Sequence, residues 1–64
     1  MKRRRLLQHL AAHGCDVVGE GGAHTRVRNA QNGNKSFVPR HREIKAHLAK
    51  EICKQLGIPP LAEK

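Results

Sequence analysis

Residues 15–39 read Cys-Asp-Val-Val-Gly-Glu-Gly-Gly-Ala-His-Thr-Arg-Val-Arg-Asn-Ala-Gln-Asn-Gly-Asn-Lys-Ser-Phe-Val-Pro, and this stretch decides the fold. Its centre, His24–Asn29, alternates: Thr25, Val27 and Asn29 fall on one face of an extended chain, His24, Arg26 and Arg28 on the other. Val27 is the apolar member, so its face is predicted to meet the core. Downstream, Asn32-Gly33 within 30–34 is the strongest short-range hairpin signal, and Lys35–Pro39 reads as the returning strand, which Pro39 ends or places at an edge. Upstream, residues 15–19 read as a further strand. Residues 20–22, Glu-Gly-Gly, read as a turn, because glycine tolerates positive φ.

Outside this stretch the apolar period changes from two to between three and four. Leu6, Leu7, Leu10 and Ala11 form one stripe of a helix over 2–13, and Gly14 suits its left-handed C-terminal position. Lys2 to Arg5 stand at the end of that helix where the dipole disfavours cations. The mismatch points to a use for the basic cluster other than helix stability, with fraying as the alternative. Ile44, Leu48, Ile52 and Leu56 recur every fourth residue over 43–56, with Ala49 and Cys53 beside them; Gly57 and Pro59-Pro60 stop the helix. The predicted order is αβββα. This is an α+β domain over 1–64, with a three-stranded antiparallel meander and both helices on one face, its ends 1–5 and 59–64 frayed.

Composition bounds the function. Sixty-four residues make one domain with a thin core, too small for a dinucleotide-binding fold or an α/β barrel. Thirteen Lys and Arg against five Asp and Glu give a formal charge of +8, and the sequence pI of about 10.6 lies in the range of nucleic-acid-binding domains. Such a field attracts polyanions in general and names a class of partner, not a task. With one Phe and no Tyr or Trp, an aromatic stacking platform for single-stranded bases is not expected. No apolar run approaches the ~20 residues of a membrane span. The stretch after Met1-Lys2-Arg3-Arg4-Arg5 has polar breaks and no signal-peptide core, so the expected location is the cytoplasm. Cys15 and Cys53 form no CxxC pair and read as small buried hydrophobes.

The constellation with chemical potential is His24 in line with Arg26 and Arg28 beside the Gly21-Gly22 turn. Guanidiniums hold phosphate oxygens in bidentate fashion and stabilise developing charge. An imidazole exchanges protons near neutral pH. RNA carries its own nucleophile, the 2′-OH, so positioning, a base and charge stabilisation suffice to cleave it. A lone strand histidine on a solvated face has the same spacing, and only geometry separates the two. Arg40-His41-Arg42 is predicted to enter the main helix, where amides and side chains can hold a phosphate, or to be a solvated basic loop. The five carboxylates, Asp16, Glu20, Glu43, Glu51 and Glu63, show no two-metal spacing. His9, His13, Cys15 and Cys53 match no zinc spacing. No metal or other cofactor is expected.

Four segments and Asn29 taken together resemble the HicA toxins, the mRNA interferases of HicAB toxin–antitoxin systems. They are Glu20-Gly21-Gly22-Ala23-His24 with Asn29, Asn32-Gly33-Asn34-Lys35, Val38-Pro39-Arg40-His41-Arg42-Glu43-Ile44, and Ile52-Cys53-Lys54-Gln55-Leu56-Gly57-Ile58. The resemblance spans almost the whole chain and rests on joint occurrence, since any one segment alone is weak. It implies a fold like the double-stranded-RNA-binding domain, metal-independent cleavage of mRNA with His24 as the catalytic residue, and inhibition by a HicB-type antitoxin that covers the active face. Ala23 stands where many members carry Ser, and Ala30 where Pro is frequent. Beside the resemblance, the residues assign RNA backbone contacts to Arg26, Arg28, Lys35, Arg40 and His41 and the site turn to Gly21 and Gly22. The other reading is a non-catalytic RNA-binding module of the same fold. A helix-turn-helix DNA regulator is disfavoured, because ~30 residues of strand and turn separate the helices where that motif needs three or four.

Overall fold

The computed structural model describes residues 1–22 and 24–61. The elements run α1 (Arg3–Ala12), β1 (Cys15–Gly21), β2 (His24–Asn29), β3 (Lys35–Pro39) and α2 (Ala46–Leu56). The sheet is antiparallel in the order β1-β2-β3, so β1 and β3 are both edges. Thr25, Val27 and Asn29 of β2 are buried with Cys15, Ser36 and Val38 of the flanking strands, under Leu6 and Leu10 of α1 and Ala49, Ile52, Cys53 and Leu56 of α2. One face of the sheet therefore carries both helices, as the alternation requires, and the αβββα order is that of the double-stranded-RNA-binding domain.

Local rules place most of the boundaries. Gly57 is left-handed (φ 74°); its N–H donates to the Lys54 carbonyl and that of Ile58 to the Cys53 carbonyl, while Ile58 packs on the core. This pairing closes the end of α2 by satisfying carbonyls that have no partner within the helix. Gly33 (φ 78°) turns the β2–β3 hairpin, as its Asn-Gly pair predicts. Buried Asn29 locks that hairpin to α2: its Nδ2 donates to the Leu56 carbonyl at 2.8 Å and its Oδ1 accepts from the Gln31 N–H at 2.9 Å. Ser36 Oγ donates to Gln55 Oε1 at 2.6 Å and ties β3 to the same helix.

Four expectations need correction. The first strand does not stop at residue 19: after a register shift between Val17 and Gly19 it continues to Gly21, which pairs with His24. Glu20 and Gly21 thus belong to β1, which Gly21 prolongs, while Gly22 remains in the turn; neither glycine uses left-handed φ. The second helix starts at Ala46 and not at residue 43, because Glu43 bridges to Lys2, and the Ile44 N–H donates to the Met1 carbonyl at 2.8 Å. That extended pairing, a contact between the two ends of the chain, competes with the first helical turn and wins. Ala11 is exposed, so the apolar stripe of α1 is narrower than read. The residues 1–3, for which the sequence raised fraying, pair with residues 42–44. Residues 62–64 of the tail lie outside the described residues. No helix among the described residues is long and apolar enough to cross a membrane.

Candidate active site

The outer face of the sheet is a small grid. Its rows, read from the strand register, are Gly21–His24–Pro39, Gly19–Arg26–Phe37 and Asp16–Arg28–Lys35. His24, Arg26, Arg28, Lys35 and Phe37 are all exposed. The structure thus brings together four of the residues singled out from sequence, His24, Arg26, Arg28 and Lys35, on one accessible surface. Asp16 is the single acidic member of these rows, so the surface stays cationic.

His24 opens β2 with glycine on one side and Pro39 on the other, so nothing bulky overhangs it. Its ring meets Phe37 edge-on, with centroids 6.2 Å apart and planes at 74°. Arg26 has a seat that the sequence did not reveal. A Cβ on Gly19 would stand 2.8 Å from its Nε and 3.0 Å from its Cζ, so the guanidinium lies across the bare backbone of β1. Glycine is needed at position 19 for this close approach, not for its dihedral angles.

The rim beside His24 is braced from beneath. Thr25 is fully buried; its Oγ1 donates to Glu20 Oε1 at 2.9 Å and accepts from Arg3 Nη2 at 2.5 Å, and Arg3 Nε donates to the Pro39 carbonyl at 3.0 Å. Arg40 does not enter a helix. Its Nη1 reaches the Gly22 carbonyl at 3.4 Å and lies 3.9 Å from Glu20 Oε1, both partners half-exposed. Such an exposed pair contributes ~0–1 kcal/mol. Arg40 therefore borders the turn and keeps much of its guanidinium free. His41 and Arg42 stand exposed in the segment before α2, which starts only at Ala46, so they do not enter that helix; the Arg42 carbonyl instead accepts from the Arg3 N–H at the start of α1.

Sequence reasoning missed Phe37. One phenylalanine is too few for a multi-base platform, but it is 58% exposed next to His24 and offers a face to one base. The alternation that sends Ser36 and Val38 inward sends Phe37 outward, so the signal was present in the strand pattern. His9 and His13 do come together, with ring centroids 4.4 Å apart. Their nitrogens, however, face the Pro59 and His9 carbonyl oxygens, and no group of three or more His, Cys, Asp or Glu side chains converges among the described residues. Both thiols are buried and free; burial pushes the Cys15 and Cys53 pKa values up.

The fold is an αβββα module like the double-stranded-RNA-binding domain, with an exposed histidine on a cationic sheet face. The sequence matches the family described as HicA toxin of bacterial toxin-antitoxin over residues 3–58, and the chain belongs to that family. No curated protein and no solved structure matches it.

Proposed function

We propose that the protein is the endoribonuclease toxin of a toxin–antitoxin pair, with His24 as its general base. The single observation supporting this is the exposed imidazole at the head of a sheet face that also carries Arg26, Arg28, Lys35 and Phe37. RNA lies across this face with phosphates against the cations and one base against Phe37. His24 takes the proton of the 2′-OH. The 2′ oxygen attacks the adjacent phosphorus, and the bond to the 5′ oxygen breaks. The departing oxygen takes a proton from the imidazolium or solvent, which leaves a 2′,3′-cyclic phosphate and a 5′-OH. The cations stabilise the charge that develops on the phosphorane oxygens. The step uses no metal, and a face with one carboxylate among four cationic or titratable partners repels a divalent ion. mRNA is the substrate, and a HicB-type antitoxin with an acidic docking surface inhibits by covering the face, an arrangement that a charge of +8 favours in encounter rate.

The test is RNA cleavage in excess EDTA by the wild type and by His24→Ala. Loss of cleavage with retained binding supports the assignment; cleavage by His24→Ala refutes it. One observation favours the alternative of a non-catalytic RNA-binding module: on the outer face the side chains beside His24 are Pro39 and Phe37, neither of which can act as a second acid. Intact RNA with salt-dependent binding by the wild type selects that reading.

A further inference from the structure

The four-residue basic run that opens α1 is not explained by the outer face. Lys2, Arg3 and Arg4 line a surface groove together with Arg40, Arg42 and Glu43, five cationic side chains against one carboxylate. A second, shallower depression shares Lys2 and Arg4 and continues along α1 to Arg5 and Gln8. The groove exists because the chain pairs residues 1–3 with 42–44, which sets two basic segments side by side.

We infer that this groove binds the phosphate backbone of the RNA strand leaving the His24 site, through Lys2, Arg4 and Arg42 with Arg40. The inference rests on the RNA-directed reading above and adds a site to it. Three observations carry it. First, the groove is continuous with the His24 rim: Arg3 donates to the carbonyl of Pro39, the cross-strand neighbour of His24, and Arg40 reaches the carbonyl of Gly22. Second, the side chains of Lys2, Arg4 and Arg42 have no ion-pair or hydrogen-bond partner among the described residues, so their charge is available. These charges also stand at the helix end where the dipole opposes them, and the first turn of α1 contains no acidic residue to offset it. Third, the lining contains no apolar side chain. Protein interfaces are anchored by buried aromatic or aliphatic groups, which a groove of charges cannot supply, whereas a phosphodiester chain asks for charge alone. The helix amides are not the ligand-binding feature here, since the Arg3 N–H already donates to the Arg42 carbonyl.

The experiment uses the full chain and the double variant Arg4→Gln/Arg42→Gln. Binding to a 2′-O-methyl RNA of about a dozen nucleotides is titrated against salt, and cleavage of a dinucleoside monophosphate, too short to reach the groove, is followed in parallel. Binding to the long RNA is expected to weaken about tenfold, and the slope of log K against log salt to shrink by ~1.4, since each single-strand phosphate contact contributes ~0.7. Dinucleotide cleavage is unchanged, and the melting temperature holds or rises because a cation has left the wrong end of α1. Unaltered long-RNA affinity and slope overturn the inference. So does a variant that binds RNA normally but escapes inhibition by an acidic partner protein, which would assign the groove to that partner. A wild type that binds the long RNA but cleaves nothing removes the catalytic reading and leaves the groove standing; a wild type that binds no RNA removes both.

Discussion

Replacing Gly19 with alanine separates the sheet as scaffold from the sheet as site. The new Cβ would lie 2.8 Å from Arg26 Nε and closer still to Nη2, where ordinary contact begins at 3.4 Å, so the guanidinium must be displaced from its seat. What it meets is the far end of a flexible side chain, not backbone, and Gly19 has no left-handed φ to strain. Folding stability is therefore expected to stay within about 0.5 kcal/mol of wild type, helped by the lower chain entropy of alanine in the unfolded state. The cost falls on binding. A charge-assisted hydrogen bond contributes ~1.5–3 kcal/mol when fully formed, and partial displacement of Arg26 forfeits about 1 kcal/mol, roughly a fivefold loss of RNA affinity. Gly22→Ala places the same methyl in the neighbouring site turn, where nothing lies within 4 Å of a Cβ, and is compared with it. The assay pairs RNA titration with urea denaturation for both variants. Wild-type affinity in Gly19→Ala would show that Arg26 does not hold RNA from this seat. A loss of 2 kcal/mol or more in stability would show that the strand yields and not the side chain.

Asn29→Ala removes a donor to the Leu56 carbonyl and an acceptor for the Gln31 N–H in a buried setting, and is expected to lower the unfolding free energy by about 2–3 kcal/mol in urea titration. Gly57→Ala forces a left-handed alanine whose Cβ stands 2.8 Å from Asn32 Nδ2, and should cost ~1–2 kcal/mol by the same measurement. Cys15 and Cys53 should resist alkylation until the protein unfolds. Burial raises both thiol pKa values, so the native state retains their protons more tightly. Their contribution to stability is complete below the ordinary thiol pKa of ~8.5 and declines as pH climbs above it, a decline that Cys15→Ala should reduce. Phe37→Ala is expected to weaken RNA binding by ~1–3 kcal/mol of lost base stacking while leaving the melting temperature nearly unchanged, because the ring is mostly exposed. An equal loss for an abasic strand would show that no base rests on Phe37.

The β2–β3 hairpin, the capped end of α2 and the outward aim of His24, Arg26 and Arg28 were all legible in the amino-acid sequence. Each depends on neighbours within a few positions: two-residue alternation around Val27, Asn32-Gly33 at the turn, Gly57 ahead of Pro59. Short-range sterics and the pleat of a strand suffice there. Other features needed the folded chain. Whether Glu43 and Ile44 join a helix was decided by backbone bonds to Lys2 and Met1, some forty positions away, and no local pattern marks that pairing. The same contact assembles the groove from two basic runs that the sequence keeps apart. The seat of Arg26 on Gly19 depends on a register shift that only the paired strand reveals. Local chemistry chose the elements and their faces; the long-range contacts, which bring distant charges and a bare backbone into reach, decided where those faces become a site.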